Sequence, residues 1–388
     1  MRNLGLFLTF AFSIASCNAQ FDKVIVPGAE RIDLYNELLE GKTTGVVANH
    51  TSLIRDIHLV DLLISRGVKI EKIYSPEHGF RGTEDAGAKI EGGIDVKTGI
   101  QIISLYGKRR KPSPEDLVGI DIMVFDLQDV GARFYTYISS LHYVMEACAE
   151  NNIPVIVFDR PNPNGNYIDG PILDPEYKSF VGMHPVPVVY GMTIGEYAGM
   201  INGEKWLNKG LQCDLKVIEC ENYCHSSIYN PPVKPSPNLP NYLSVKLYPS
   251  LCFFEGTAIS VGRGTEFPFQ VFGHPDLETG EFYFTPESKP GAAVNPKLKG
   301  EKCRGVDLRD FEKPESISKI NLEYLLLAYQ NYPEKEEFFN SYFNLLSGNE
   351  ELKNQIVEGK TANEIRISWK KDIEKFMKIR EKYLLYEE

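Results

Sequence analysis

A series of short apolar runs, each closed by a burst of polar residues, is what most constrains the fold of this chain. "GVVAN" (45–49), "IEKIYS" (70–75), "IQIISLYG" (100–107), "IDIMVFDLQ" (120–128), "IPVIVFDRPNP" (153–163), "VPVVYG" (186–191) and "LKVIEC" (215–220) recur between stretches with helical spacing. Strands that are apolar almost throughout are covered on both faces, and alternation with helices makes the sheet mostly parallel. The helical stretches include "IRDIHLVDLLISRG" (54–67) with Gly67 as its stop. They also include "SPEDLVG", with Ser113 as N-cap and Pro114 at the first helical position, and "YISSLHYVMEACAENN" (137–152). The expectation is an α/β fold, a Rossmann-like doubly wound sheet, with a second, smaller C-terminal α+β domain. No G-x-G-x-x-G follows the first strand, so a dinucleotide is not implied.

Length supports the division. A chain of 388 residues suggests two domains, or one large domain with additions. The Pro-rich stretch "NPPVKPSPNLPNYLSVKLYPS" (230–250) resists regular structure and suits a junction. The expected boundaries are a signal segment at 1–19, an N-terminal domain at 21–242 and a C-terminal domain at 243–388. A stripe of Ile365, Trp369, Ile373, Phe376, Ile379 and Tyr383 near the end reads as a core-facing helix.

The first twenty residues, "MRNLGLFLTFAFSIASCNAQ", have one early Arg, an apolar run and small residues, as a secretory signal does. Ile14 to Cys17 forms a lipobox-like tetrad, so Cys17 is the expected lipidation site. A cut before Gln20 is the alternative. Either way the chain is expected to be exported by a bacterium, periplasmic or membrane-anchored through a lipid. Six further cysteines remain, and Cys213, Cys220, Cys224 and His225 do not match a zinc knuckle, so buried thiols with one bridge at most are expected. A formal net charge of -11 argues against nucleic acid as a partner.

Ligands of open α/β sheets bind beyond the carboxyl ends of the strands. Those positions carry Asn49 and His50, then Glu77, His78 and Arg81 with Glu84 and Asp85. Next come Asp126, Gln128, Asp129, Arg133, Tyr135 and Tyr137, then Asp159, Arg160, Asn162 and Asn164, and finally Tyr190. Carboxylates and amides serve sugar hydroxyls, and aromatics serve the apolar ring face. Arg133, Arg160 and Arg263 are candidates to grip a carboxylate in a two-point fork. Glycoside hydrolysis needs a carboxylic acid that keeps its proton, which burial arranges. Glu77, on a Pro-flanked loop, is the expected acid, with Glu84, Asp129 or Glu255 as possible partner. A metal held by Asp126, Asp129 and the histidines lacks helical H-x-x-x-H spacing, and no metal is expected.

"SPEHGFRG" (75–82), "FDLQDVGARFYTY" (125–137), "DRPNP" (159–163), "VYGMTIGEYA" (189–198) and "EGTAISVGRGTEFPFQ" (255–270), in this order, resemble the exo-β-N-acetylmuramidase family over about Phe21 to Glu388. The resemblance implies a Rossmann-like domain beside a smaller one, with the active site in the cleft between them. It implies release of N-acetylmuramic acid from the non-reducing end of peptidoglycan fragments, with no metal or nucleotide cofactor. It puts the motif acid on Glu77 and His78, Arg81, the Asp126–Tyr137 segment, Arg160 and Arg263 along the cleft. Two rival readings use the same residues: a non-catalytic lipoprotein that binds wall fragments, and a metal-dependent ester or phosphate hydrolase.

Overall fold

The computed structural model describes residues 23–77, 79–81, 93–107 and 109–388. In chain order the strands are β1 (Thr43–Ala48), the hairpin β2 (Leu53–Ile54) and β3 (Ile57–His58), β4 (Lys69–Ser75), β5 (Gly93–Ile94), β6 (Gln101–Ser104), β7 (Ile122–Asp126), β8 (Val155–Phe158) and β9 (Leu215–Ile218). They are followed by β10 (Val271–His274), β11 (Phe282–Phe284) and β12 (Cys303–Asp307). The main sheet has the order β5-β6-β4-β1-β7-β8-β9, parallel except for the β5–β6 pair. Without the short antiparallel edge, this is the 3-2-1-4-5-6 order of a doubly wound sheet, whose switch point lies between β1 and β7. A smaller antiparallel sheet, β10-β12-β11, belongs to the C-terminal domain.

Burial explains the unbroken apolar runs. Every residue of β7 and β8 is buried. One sheet face sends Val47, Met123, Phe125, Val155 and Val157 against the helices Tyr137–Glu150 and Ile194–Gly203, through Ile138, Leu141, Met145, Tyr197 and Ile201. The alternate residues Val46, Val124, Ile156 and Phe158 pack on the other face with Leu59, Val60 and Leu63. The two-residue period of the strand therefore sorts one sequence into two cores. The first core continues into the C-terminal domain through Leu251, Phe254, Phe269, Phe343, Leu346 and Trp369.

Local signals act where they can. Ser113 accepts from the Asp116 N–H and Asp116 reaches back, a complete capping box with Pro114 at the first helical position. The C-terminal helix spans Ala362–Arg380 and buries Ile365, Trp369 and Phe376. Two expectations change. The segment expected as helix from Ile54 first forms the β2–β3 hairpin, and the helix is Leu59–Ser65, begun by His58, whose ring accepts from the Val60 N–H at 3.3 Å. "VPVVYG" is buried but makes only single bridges, Val189 to Ala132 and to Asp169. Pro185 and Pro187 deprive it of alternate N–H donors, so it cannot complete a ladder.

Arg133 ties the N-terminal domain to the C-terminal one. It is fully buried. Its Nη1 donates to the carbonyls of Pro171 and Val186 at 2.8 and 2.7 Å, and its Nη2 to those of Leu346 and Ser347 at 3.0 and 2.6 Å. The last two carbonyls end the short helix Phe343–Ser347. Gly348 follows with φ +82°, and a Cβ there would stand 2.6 Å from Arg133 Nη2, so the position needs glycine for both conformation and space. Arg133→Met keeps the apolar stem and strands four buried carbonyls. It is expected to lower stability by about 3 kcal/mol or more, read by urea denaturation at neutral pH.

Candidate active site

The carboxyl edge of the main sheet faces the C-terminal domain across a cavity of about 160 Å³. Glu77 lies two residues beyond β4, and Tyr135 and Tyr137 follow β7 through the loop that leads into the helix Tyr137–Glu150. These three meet Glu255, Arg263 and Tyr342 from the C-terminal domain on the cavity wall. Phe134, Tyr248 and Phe269 make up much of its apolar surface.

Glu77 is half-buried, and its Oε1 accepts a hydrogen bond from the Tyr106 hydroxyl at 3.0 Å. Burial pushes its carboxyl above the usual carboxylate range. The Tyr106 hydrogen bond and the positive charges of Arg263 and Arg110 pull the other way without cancelling that shift. A carboxyl group with a raised pKa that opens on a cavity is equipped to carry and deliver a proton. Across the cavity, Arg263 Nε donates to Glu255 Oε1 at 3.1 Å, and the guanidinium lies 5.0 Å from the centre of the Phe269 ring.

The aromatic wall is held from behind. Asn49, at the end of β1, donates from Nδ2 to the Tyr137 hydroxyl at 2.6 Å, while its Oδ1 accepts from the Thr51 N–H and hydroxyl. Tyr135 donates to the Pro235 carbonyl at 2.7 Å and meets Tyr137 edge to face, with ring centres 4.8 Å apart. Asn49 therefore acts on the cavity through Tyr137.

The other residues singled out in the sequence take partners within the fold. Asp126 and Arg160 form a buried two-point ion pair, with Nε–Oδ1 at 2.5 Å and Nη2–Oδ2 at 2.8 Å, which joins the ends of β7 and β8. Gln128 donates to the carbonyls of Asp129 and Pro161, both at 2.8 Å. Asn162 donates to the Met192 carbonyl at 2.8 Å. Asp129 accepts from the Tyr190 hydroxyl and from the Gly131 N–H, and burial pushes its carboxyl up to about 6. Neither Asp129 nor Tyr190 lines the cavity. Arg81 grips Asp95 at 2.8 Å through both Nε and Nη2 and reaches Asp61 at 3.1 Å. Arg133 is the interdomain tie. His78, Glu84 and Cys17 lie outside the described residues.

Sequence reasoning passed over Tyr106, the hydrogen-bond partner of Glu77, and several residues of the cavity wall. Tyr106 stands two residues past β6, and the strand-end rule that picked out Glu77 would have reached it. Asn238, Tyr248 and Tyr342 come from the connection and the C-terminal domain, where no strand-end pattern marks them. Among the described residues no group of three or more His, Cys, Asp or Glu is arranged to hold a metal ion. Cys148, Cys213, Cys220, Cys252 and Cys303 are free, buried thiols. His225 Nε2 pairs with Glu196 at 2.9 Å.

A doubly wound sheet whose carboxyl edge closes on a second domain, with a glutamate whose carboxyl is pushed above the usual range by burial in an aromatic cleft, fits a carboxyl-dependent hydrolase of the glycosidase kind. Two family models cover nearly the whole chain: "Exo-beta-N-acetylmuramidase NamZ, N-terminal" matches residues 44–243, and its C-terminal counterpart matches 246–386. The chain belongs to the exo-β-N-acetylmuramidase NamZ family. It is 41% identical over 372 residues to the peptidoglycan beta-N-acetylmuramidase NamZ of Bacillus subtilis (strain 168), covering 91% of this chain and 89% of that one. Two crystal structures of DUF1343 family proteins from Bacteroides fragilis NCTC 9343 share the architecture. One is 45% identical with a TM-score of 0.87, over 94% of this chain and all of the other. The second is 31% identical with a TM-score of 0.80, over 94% and 99%.

The Tyr106 hydrogen bond stabilises the charged form of Glu77. Tyr106→Phe removes that donor and is expected to move the titration of Glu77 to still higher pH, followed by carboxyl-carbon NMR of the labelled side chain. An unchanged or lowered midpoint contradicts the arrangement.

Proposed function

We propose that this protein is an exo-acting β-N-acetylmuramidase that releases N-acetylmuramic acid from the non-reducing end of peptidoglycan fragments, with Glu77 as its acid. The observation that carries the reading is the Glu77 carboxyl group, raised by burial, on the wall of an aromatic cavity between the two domains. Family membership supports the chemistry, and the relative from Bacillus subtilis bears the name of that activity.

The hydrogen bond with Tyr106 supports different roles for the two oxygens of Glu77. Oε1 accepts from the tyrosine, which leaves Oε2 to hold the proton. That proton passes to the bridging oxygen as the bond from the sugar C1 to that oxygen breaks, and the alcohol of the next sugar leaves neutral. Positive charge develops at C1 and the ring oxygen. The carbonyl oxygen of the sugar's own 2-acetamido group is a nucleophile for C1, so no second protein carboxylate need attack. Water then bonds to C1 through its oxygen as the bond from C1 to the acetamido oxygen breaks, and the carboxylate left on Glu77 takes the water's proton and is reset. A site that only binds wall fragments has no use for a carboxyl group with a raised pKa, which is why the hydrolase is preferred over the binding protein.

The leader and its lipobox-like tetrad support export, with Cys17 as the acylated residue. Palmitate labelling of the full chain in a bacterial host is expected, and its persistence in Cys17→Ala would remove that assignment.

Glu77→Gln is expected to keep the fold and lose roughly 10²- to 10⁴-fold in turnover of a chromogenic β-muramide. An acid acts only while protonated, so wild-type turnover falls as pH rises through the raised pKa of Glu77. A variant with near-normal turnover, or a pH profile without that falling limb, would assign the proton to another group.

A further inference from the structure

We propose that Arg263 is the specificity-determining residue of the cavity: its Nη1–Nη2 end receives the lactyl carboxylate of N-acetylmuramic acid and separates this sugar from N-acetylglucosamine. The inference rests on the muramidase reading above and names the group within that site that reads the acidic substituent.

The arginines near the sheet edge differ in what their guanidinium groups still have to offer. Both Nη groups of Arg133 are taken by four carbonyls. Arg160 is held through Nε and Nη2 by Asp126 and the Leu53 carbonyl, and Arg81 through all three nitrogens by Asp95 and Asp61. Arg263 is different. Only its Nε is engaged, by Glu255, and neither Nη has a hydrogen-bond partner among the described residues. The group faces the cavity and its side chain is 30% exposed. Glu255 at one edge and the Phe269 ring beneath hold the guanidinium plane in place, so little ordering remains when an anion docks. Two parallel N–H groups at the free end match the two oxygens of a carboxylate.

Charge balance favours an anion there although Glu255 is negative. Lys297 Nζ sits beneath the same turn, donating to the carbonyls of Phe254, Thr257 and Ile259 at 2.8, 2.5 and 3.1 Å. Two cations then stand against one carboxylate. In a protein of formal net charge -11 such a local excess is selective for an anionic group that reaches this wall. The other nearby cation is Arg110, whose guanidinium lies over Phe180, 4.1 Å from the ring centre. It is exposed and off the cavity wall, and among the described residues no carboxylate pairs with it.

The test compares two free sugars that differ only by the lactyl ether, N-acetylmuramic acid and N-acetylglucosamine, bound to the full chain and followed by titration calorimetry. Wild-type protein is expected to prefer the muramic sugar by about tenfold or more, the range of a charge-assisted two-point contact. Arg263→Gln is expected to bring the two affinities within about twofold of each other, with binding of N-acetylglucosamine retained. Arg263→Lys keeps the charge without the fork and is expected to fall between, and Arg110→Gln keeps the wild-type preference. Equal affinities in the wild type, a preference that survives Arg263→Gln, or its loss in Arg110→Gln would each overturn the proposal. So would Arg263→Gln weakening both sugars alike, which marks a structural role. Because binding is read separately from turnover, a wild type that prefers the muramic sugar but cleaves no muramide would sink the hydrolase reading and leave the carboxylate site standing.

Discussion

The cavity depends first on one buried cation. Arg133 leaves the loop after β7 and is fully buried, where its charge must be answered. The answers are backbone carbonyls from both domains: Pro171 and Val186 on one side, Leu346 and Ser347 on the other. The latter pair are the negative end of a helical turn, which a cation suits. The immediate neighbours of these groups are the cavity walls, Phe134, Tyr135 and Tyr137 after Arg133, and Tyr342 and Leu346 in the facing turn. Fixing the guanidinium therefore fixes the distance between the surfaces that a sugar ring must fill. The residue that looked on sequence grounds like a ligand-gripping arginine is instead the fastener of the cleft.

A second buried pair does the same for the sheet. Asp126 and Arg160 join the ends of β7 and β8 next to the switch point. Polar groups collect at this edge because the sheet faces are apolar and covered, leaving the carboxyl ends of the strands as the place where the main sheet meets polar chemistry. Most of that polarity is used for construction: amides on carbonyls, and a carboxylate answering a guanidinium. Among the described residues, the charged groups that line the cavity are fewer: Glu77 on one wall and the Glu255–Arg263 pair on the other. The separation is chemically apt. The proton donor sits on the β4 side, and the anion-binding edge sits on the C-terminal domain, so a substrate must span both domains to use them.

The fold was legible because its signal is physical and local. A run such as "IMVFD" has no polar face to show to water, so it specifies a strand covered on both sides. Ser113-Pro114 specifies a helix start whatever surrounds it. "VPVVYG" shows the limit: its apolar content is that of a strand, but its prolines withhold the ladder, and burial alone does not make a sheet. The site was legible as a rim and not as a cavity. The strand-end rule reaches Glu77, Tyr135 and Tyr137, but it reaches Asp126, Arg160 and Gln128 equally, because sequence does not say whether a polar side chain turns outward or toward its neighbour. Tyr342, almost a hundred positions past the junction, has nothing in its local sequence to bring it to the cavity; only the docking of the two domains does so.

The central claim is that the side chain of residue 77 meets the bridging oxygen of a muramic-acid glycoside in this interdomain cavity. A crystal structure of the Glu77→Gln protein with an intact disaccharide bearing N-acetylmuramic acid at its non-reducing end measures that contact directly. The account predicts the side chain at about 3 Å from the glycosidic oxygen, with the muramic ring between Tyr137 and Phe269. A disaccharide bound elsewhere, or a glycosidic oxygen facing another carboxyl group, would contradict it.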